Sequence, residues 1–132
     1  MAVQLAVSTR NARLDAIETD LGTDPILEIR SGAQPADCAT ADSGTLLASL
    51  TLPTDWMAAA SAGAKAKAGT WQDTSANASG TAAHFRLKTS AAVCKMQGSV
   101  GQGSGDLSLD NTVLVAGQSV TITAFTLTDA NP

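Results

Sequence analysis

Apolar and polar positions recur along this chain with two different periods, and the change falls near residue 25. Within VSTRNARLDAIETDLGTDP the apolar residues Leu14, Ile17 and Leu21 are spaced as on one face of a helix. Gly22 supplies a stop and Pro25 prevents continuation, while Ser8 or Thr9 is placed to cap the start. Ahead of that helix Val3, Leu5 and Val7 alternate with Gln4 and Ala6, which predicts an extended arm.

From residue 26 onward short runs of period two are separated by clusters of Gly, Ser, Asp, Asn and Pro, the punctuation of a β protein. ILEIR at 26–30, TLLASLTL at 45–52, KAKAGTW at 65–71, AAHFRLK at 82–88, AAVCKMQGSV at 91–100, a short run around Leu107 and Leu109, and SVTITAFTL at 119–127 are the predicted strands. PTDWMAAASAGA reads as one helical turn capped by Thr54. In the last strand Val120 and Ile122 alternate with Thr121 and Thr123, the half-buried pattern of antiparallel sheets. The expected fold is mainly β, an antiparallel β-sandwich or jelly-roll-like domain over 26–132, preceded by an N-terminal arm and one short helix over 1–25.

Composition changes this picture in one respect. Of the 132 residues 44% are hydrophobic but only 3% are aromatic, with no tyrosine, and much of the apolar count is alanine. A core built from so few large side chains is thin against the conformational entropy of ordering the chain, so association with further copies or with neighbours is expected. The charge of −4 is spread without basic runs, which argues against nucleic acid as the main ligand. No apolar stretch is long enough to span a bilayer, and no charged leader precedes an apolar run, so neither a membrane protein nor a secreted one is expected.

Charge placement on the helix is unusual. Arg10 and Arg13 sit in its first turns and Asp15, Glu18 and Asp20 toward its end, the reverse of what the helix dipole favours. Either tertiary contacts override the penalty or both charge clusters meet another subunit.

Candidate chemistry is sparse. His84, the lone histidine, lies in an ordinary alternating strand with no spacing that demands a carboxylate beside it, although Asp73, Asp106 and Asp110 could come near. Asp37 and Asp42, like Asp106 and Asp110, do not match a calcium loop, and GSVGQGSGD is followed by strand-like LSLDN rather than the helix a phosphate loop needs. No catalytic residue, metal or cofactor is assigned. Cys38 and Cys94 fit no zinc or redox spacing; one disulfide or two buried thiols both remain open. Trp56 and Trp71 read as core or interface anchors. KAKAGTW and HFRLK are expected to form two strands joined by QDTSANASGTAA, placing Lys65, Lys67, Arg86 and Lys88 on one pair as a docking surface for an acidic neighbour.

STRNARLDAIETDLGTDPILEIRSG, then TLPTDWMAAASAGAKAKAGTWQDTSANASGTAAHFRL and GQGSGDLSLDNTVLVAGQSVTITAFTLTD, resemble the small Ala/Thr/Gly-rich structural proteins of tailed bacteriophage and prophage virions. The resemblance implies a non-enzymatic particle subunit, assembled in the bacterial host cytoplasm and located in the virion. Capsid cement or decoration is the leading role, with the major capsid protein as partner and residues 1–22 inserted between subunits. Val3, Leu5, Arg10, Arg13, Leu14, Ile17 and Glu18 are then the expected contacts. A tail or head-to-tail connector component is the alternative within that class. A carbohydrate-binding module of a phage fibre, the alternative of a different class, would instead expose Trp56 or Trp71 in a groove, and an enzyme would set His84 in a concave site beside a carboxylate.

Overall fold

A computed structural model describes residues 3–130. Helix α1, Val7–Leu21, precedes ten strands: β1 Ile26–Arg30, β2 Leu46–Thr51, β3 Ala64–Ala66, β4 Gln72–Asp73, β5 Gly80–Thr81, β6 His84–Lys88, β7 Cys94–Gly101, β8 Leu107–Leu109, β9 Val113–Leu114 and β10 Val120–Thr128. The chain is mainly β, with one helix near its N-terminus and a β-sandwich-like curled sheet. Strand order is β2-β1-β6-β7-β8-β10-β3, with β4 also on β10, and β5 and β9 form a small separate sheet. All pairs are antiparallel except β7 with β8, so the sheet is mixed rather than purely antiparallel.

The sheet curls until its first strand nears β4. Asp73 Oδ2 accepts the Ser49 N–H at 3.1 Å, and Leu47 O accepts the Asn77 N–H at 2.7 Å, so the outer edge of β2 is covered rather than left open. Inside the curl all four aromatic side chains form one chain of contacts: Trp56 to Trp71 at 6.0 Å, Trp71 to Phe125 at 5.6 Å and Phe125 to Phe85 at 5.7 Å between ring centroids. Leu27, Ile29, Leu87, Leu107 and Ile122 fill the space around them. Few aromatic residues thus suffice because they sit together, where edge-to-face and offset contacts add to area burial.

Helix α1 packs against β3 and the core. Leu14 and Leu21 are buried and Ile17 packs partly buried against the core, as the helical spacing predicts. Gly22, at φ 78°, ends the helix and donates its N–H to Glu18 O. The start differs from expectation: Ala6 is the N-cap and makes no side-chain cap bond, while Ser8 and Thr9 lie inside the first turn.

Two further expectations are corrected. PTDWMAAASAGA contains no helical turn; it bends at 54–55 and turns at 62–63, with Met57 bridging Lys67, and Thr54 Oγ1 donates to Asp24 Oδ1 at 2.9 Å instead of capping a helix. KAKAGTW and HFRLK do not pair: β3 lies on β10, whereas β6 lies between β1 and β7, and the intervening segment supplies β4 and β5. Strand β6 prefers a central place because Phe85 and Leu87 face the core while its other face is also covered.

Candidate functional site

The other face of β6 carries His84, Arg86 and Lys88, and opposite them on β1 stand Glu28 and Arg30. Alternation along each strand puts these residues outside the core, beneath the loop of residues 31–44. Asp42 reaches down from that loop to Arg86 at 2.7 Å, Lys88 at 2.7 Å and Arg30 at 3.1 Å, while Glu28 holds Lys88 and Arg30 at 3.0 Å each. Three cations thus meet two carboxylates. Carbonyl oxygens offset the surplus: Arg86 also donates to Thr40 O at 2.9 Å and Cys38 O at 2.8 Å. Gln97 Nε2 donates to Pro35 O at 2.8 Å, so the loop is fastened along its length.

The electrostatics follow from this geometry. The hydrogen bond from Lys88 holds the Asp42 carboxyl below the usual carboxylate range despite its burial. Burial works against the Lys88 ammonium, but the bonds to Asp42 and Glu28 outweigh it and raise its pKa above the ordinary lysine value. At the loop's rim, Thr40 donates its hydroxyl and N–H to Asp37 Oδ1, both at 2.8 Å, which lowers Asp37 likewise.

A second cluster joins the helix to the sheet. Lys65 Nζ contacts Asp15 at 2.6 Å, Glu18 at 3.2 Å and the Ala58 carbonyl at 2.8 Å, so all three of its protons are engaged. Burial again opposes the ammonium, and the two carboxylates more than reverse its effect, raising the Lys65 pKa. Arg10 donates to Asp129 O at 3.0 Å, Arg13 pairs with Asp129 at 3.2 Å, and Asn11 Oδ1 accepts the Gly63 N–H at 2.9 Å. The inverted helix charges therefore find their partners within the same chain, which overrides the dipole preference. Beside Lys65 an open groove of about 590 Å³ is lined by Asp15, Glu18, Thr54 and Asp55.

Six of the thirteen side chains proposed for a partner surface, Leu14, Trp56, Lys65, Trp71, Arg86 and Lys88, are buried inside the molecule. Lys65, Arg86 and Lys88 are 2%, 1% and 7% exposed, so the expected basic docking surface is corrected: their acidic neighbours are Asp15, Glu18, Glu28 and Asp42. Lys67 is half-exposed, lies over the Trp71 ring and donates to Gly69 O. Trp56 and Trp71 are buried, their indole N–H groups bonded to Gly22 O and Ala68 O, and neither lines a groove in the way a sugar platform requires. Leu14 is buried and Ile17 partly buried against the core, Glu18 pairs with Lys65, and Arg10 and Arg13 both reach Asp129 just past β10, with the Arg13 side chain still 61% exposed. Val3 is 81% exposed and Leu5 is half-buried; the first two residues of the arm lie outside the described residues.

His84 is buried, with Nδ1 donating to Gly32 O at 3.0 Å and Nε2 facing no hydrogen-bond partner among the described residues. The carboxylates that could have served it are used elsewhere: Asp73 by the Ser49 and Ser75 N–H groups, Asp106 by Ser99, Asp110 by Thr121. Strand β8, not a helix, follows the glycine loop, and Gly103 N–H donates to Ser108 Oγ. Cys38 and Cys94 are free, half-buried thiols; burial pushes the Cys38 thiol up, and the neighbouring Cys94 adds to that. Among the described residues no group of three His, Cys, Asp or Glu side chains could hold a metal, and no helix is long and apolar enough to cross a membrane.

Glu28 and Arg30 were not singled out by sequence reasoning, and Asp42 was weighed only as a calcium ligand. A signal existed: ILEIR and HFRLK each alternate apolar with charged residues, so pairing them aligns Glu28 and Arg30 with Arg86 and Lys88. No family model, curated protein or solved structure matches the chain.

Proposed function

We propose that this chain is a non-enzymatic structural protein of a tailed-phage virion, a cement or decoration subunit lying over contacts between major capsid protein subunits. The observation that carries this reading is how the chain uses its functional side chains. Arg86, Lys88, Lys65, Trp56 and Trp71, the groups best suited to grip a soluble ligand, hold the fold together, while among the described residues the large apolar side chains left at the surface are all valines. Such a surface is suited to shape-complementary contact with neighbouring protein more than to small-molecule recognition. The sequence resemblance supplies the particle, and the thin core fits a subunit stabilised further by its neighbours.

Quantitative mass spectrometry of purified particles tests the reading. A copy number on the scale of the capsid lattice supports decoration, and one matching a single ring moves the chain to the tail or the head-to-tail connector. Absence from the particle removes the virion role altogether.

A further inference from the structure

A register shift at the start of β7 decides which of its side chains faces the loop of residues 31–44. Met96 stands opposite Leu87, so a regular antiparallel ladder would set Lys95 opposite Lys88. The shift between Leu87 and Lys88 sets Cys94 there instead, on the face that carries Arg86 and Lys88. Lys95 is turned away and pairs with Asp20 at 3.4 Å. An extra residue in one strand re-aims a side chain, and here the side chain is a thiol.

The loop brings a second thiol to the same place. Cys38 sits in a turn closed by the Thr40 N–H, which donates to Asp37 O at 3.2 Å and to Asp37 Oδ1 at 2.8 Å. Arg86 joins the two cysteines: its Nε donates to Cys94 Sγ at 3.3 Å and its Nη2 to Cys38 O at 2.8 Å. Nε and Nη2 form one edge of the planar guanidinium, with their N–H groups side by side, so the sulfur of one cysteine lies next to the backbone of the other. The thiols also act on each other, since Cys94 adds to the upward push that burial gives the Cys38 thiol. Both are half-buried rather than sealed, which leaves them within reach of a small reagent.

We propose that Cys38 and Cys94 are a redox cross-linking site: on meeting a low-molecular-weight disulfide they form an intramolecular disulfide that fastens the loop of residues 31–44 covalently to β7. One cysteine loses its proton and attacks a sulfur of the small disulfide, whose other sulfur leaves as a thiolate and takes up that proton. The second cysteine then loses its proton, attacks the protein sulfur of the mixed disulfide, and expels the second small thiol. Two electrons pass from the protein to the small disulfide, and two small thiols are released. Asp42, paired with Arg86 and Lys88, already holds the loop down in the dithiol state, so the cross-link joins groups that are gathered beforehand. Arg86 donates to a sulfur and a carbonyl and needs neither thiol proton, so its contacts do not oppose the new bond. The dithiol is the form for a reducing cytosol and the disulfide the form for an oxidising medium.

This inference concerns the isolated chain and stands or falls apart from the virion reading. The purified full chain, first reduced and then incubated with oxidised glutathione, should lose two hydrogens in intact mass and yield one cross-linked peptide pair holding Cys38 and Cys94. The oxidised chain should melt at a higher temperature than the reduced chain of the same sequence. It should also protect the Thr40 amide better against exchange in acid, because the loop can no longer leave the sheet. Cys94→Ser should stop at the mixed disulfide and carry one glutathione, and Cys38→Ser likewise. A parent chain that ends with two glutathiones, cross-links to a second copy, stays reduced, or melts lower once cross-linked overturns the proposal.

Discussion

Lys65 and Arg86 are buried to nearly the same degree, 2% and 1% exposed, yet they are held by different kinds of partner. Lys65 depends on two carboxylates one helical turn apart on α1, Asp15 and Glu18, plus one carbonyl. Arg86 is wrapped by a loop: one carboxylate from Asp42 and the carbonyls of Thr40 and Cys38. The difference assigns opposite causal roles. The helix neutralises a lysine that the sheet has already buried, whereas the arginine is what keeps residues 31–44 folded against the sheet. Removing a partner from each region separates these roles.

The largest effect is expected at Arg86. Arg86→Ala leaves two carbonyls without a donor and the loop without its anchor, and loss of one member of a buried ion pair costs about 3–5 kcal/mol. Urea unfolding should show that loss, with a smaller one for Arg86→Met, which restores the packing volume. A change within about 0.5 kcal/mol, typical of a surface site, would show that the loop holds without the arginine.

A lesser effect is expected from Asp15→Asn combined with Glu18→Gln. The carboxylates are 49% and 24% exposed, so water reaches the vacated site and the lysine stem can shift toward it. Hydrogen exchange should then quicken in α1 while β6 and β7 keep their protection. Adding Lys65→Met should restore the helix, because it removes the uncompensated charge. Failure of that rescue would mean that Leu14 and Leu21, not the ion pairs, decide docking. Deleting residues 1–22 strips both, so the sheet is not expected to stay folded alone.

The parts of the fold legible in the sequence are those specified by local pattern. ILEIR, the run at 45–52 and the final strand alternate clearly, and each appears within a residue or two of its expected bounds. Helix α1 was legible from Leu14, Ile17 and Leu21. Pairing was less legible, because proximity in sequence favours a hairpin between KAKAGTW and HFRLK, whereas burial of both faces of β6 favours a central position. A register shift between Ile122 and Ala124 also alters which face β10 presents, bringing Phe125 inward out of step with Val120 and Ile122. Burial of Arg86 and Lys88 was hidden for a similar reason: a strand alternating charged with apolar residues looks half-exposed until a loop from elsewhere covers it. Val113 and Leu114 gave too short a run to announce β9.

The smallest effect at neutral pH becomes visible on acidification. Asp15, Asp37 and Asp42 all have folded pKa values below the ordinary one, so the folded chain holds fewer protons than the unfolded chain as acid is added. Their contribution is present above about pH 4 and is lost as pH falls through the depressed values. Lys65 and Lys88 run the other way: their folded values are raised, so their contribution is intact below about pH 10.4 and is lost as pH rises beyond the folded value. Two of the three depressed carboxylates belong to the loop, so acid should release residues 31–44 before it releases the helix. Exchange of the Thr40 amide, bonded to Asp37, should report that order. Lys88→Met removes the leading cause of the Asp42 shift and should flatten the fall in urea midpoint below pH 4. A Lys88→Met chain with the parent's acid slope would assign that slope to Asp15 and the helix instead.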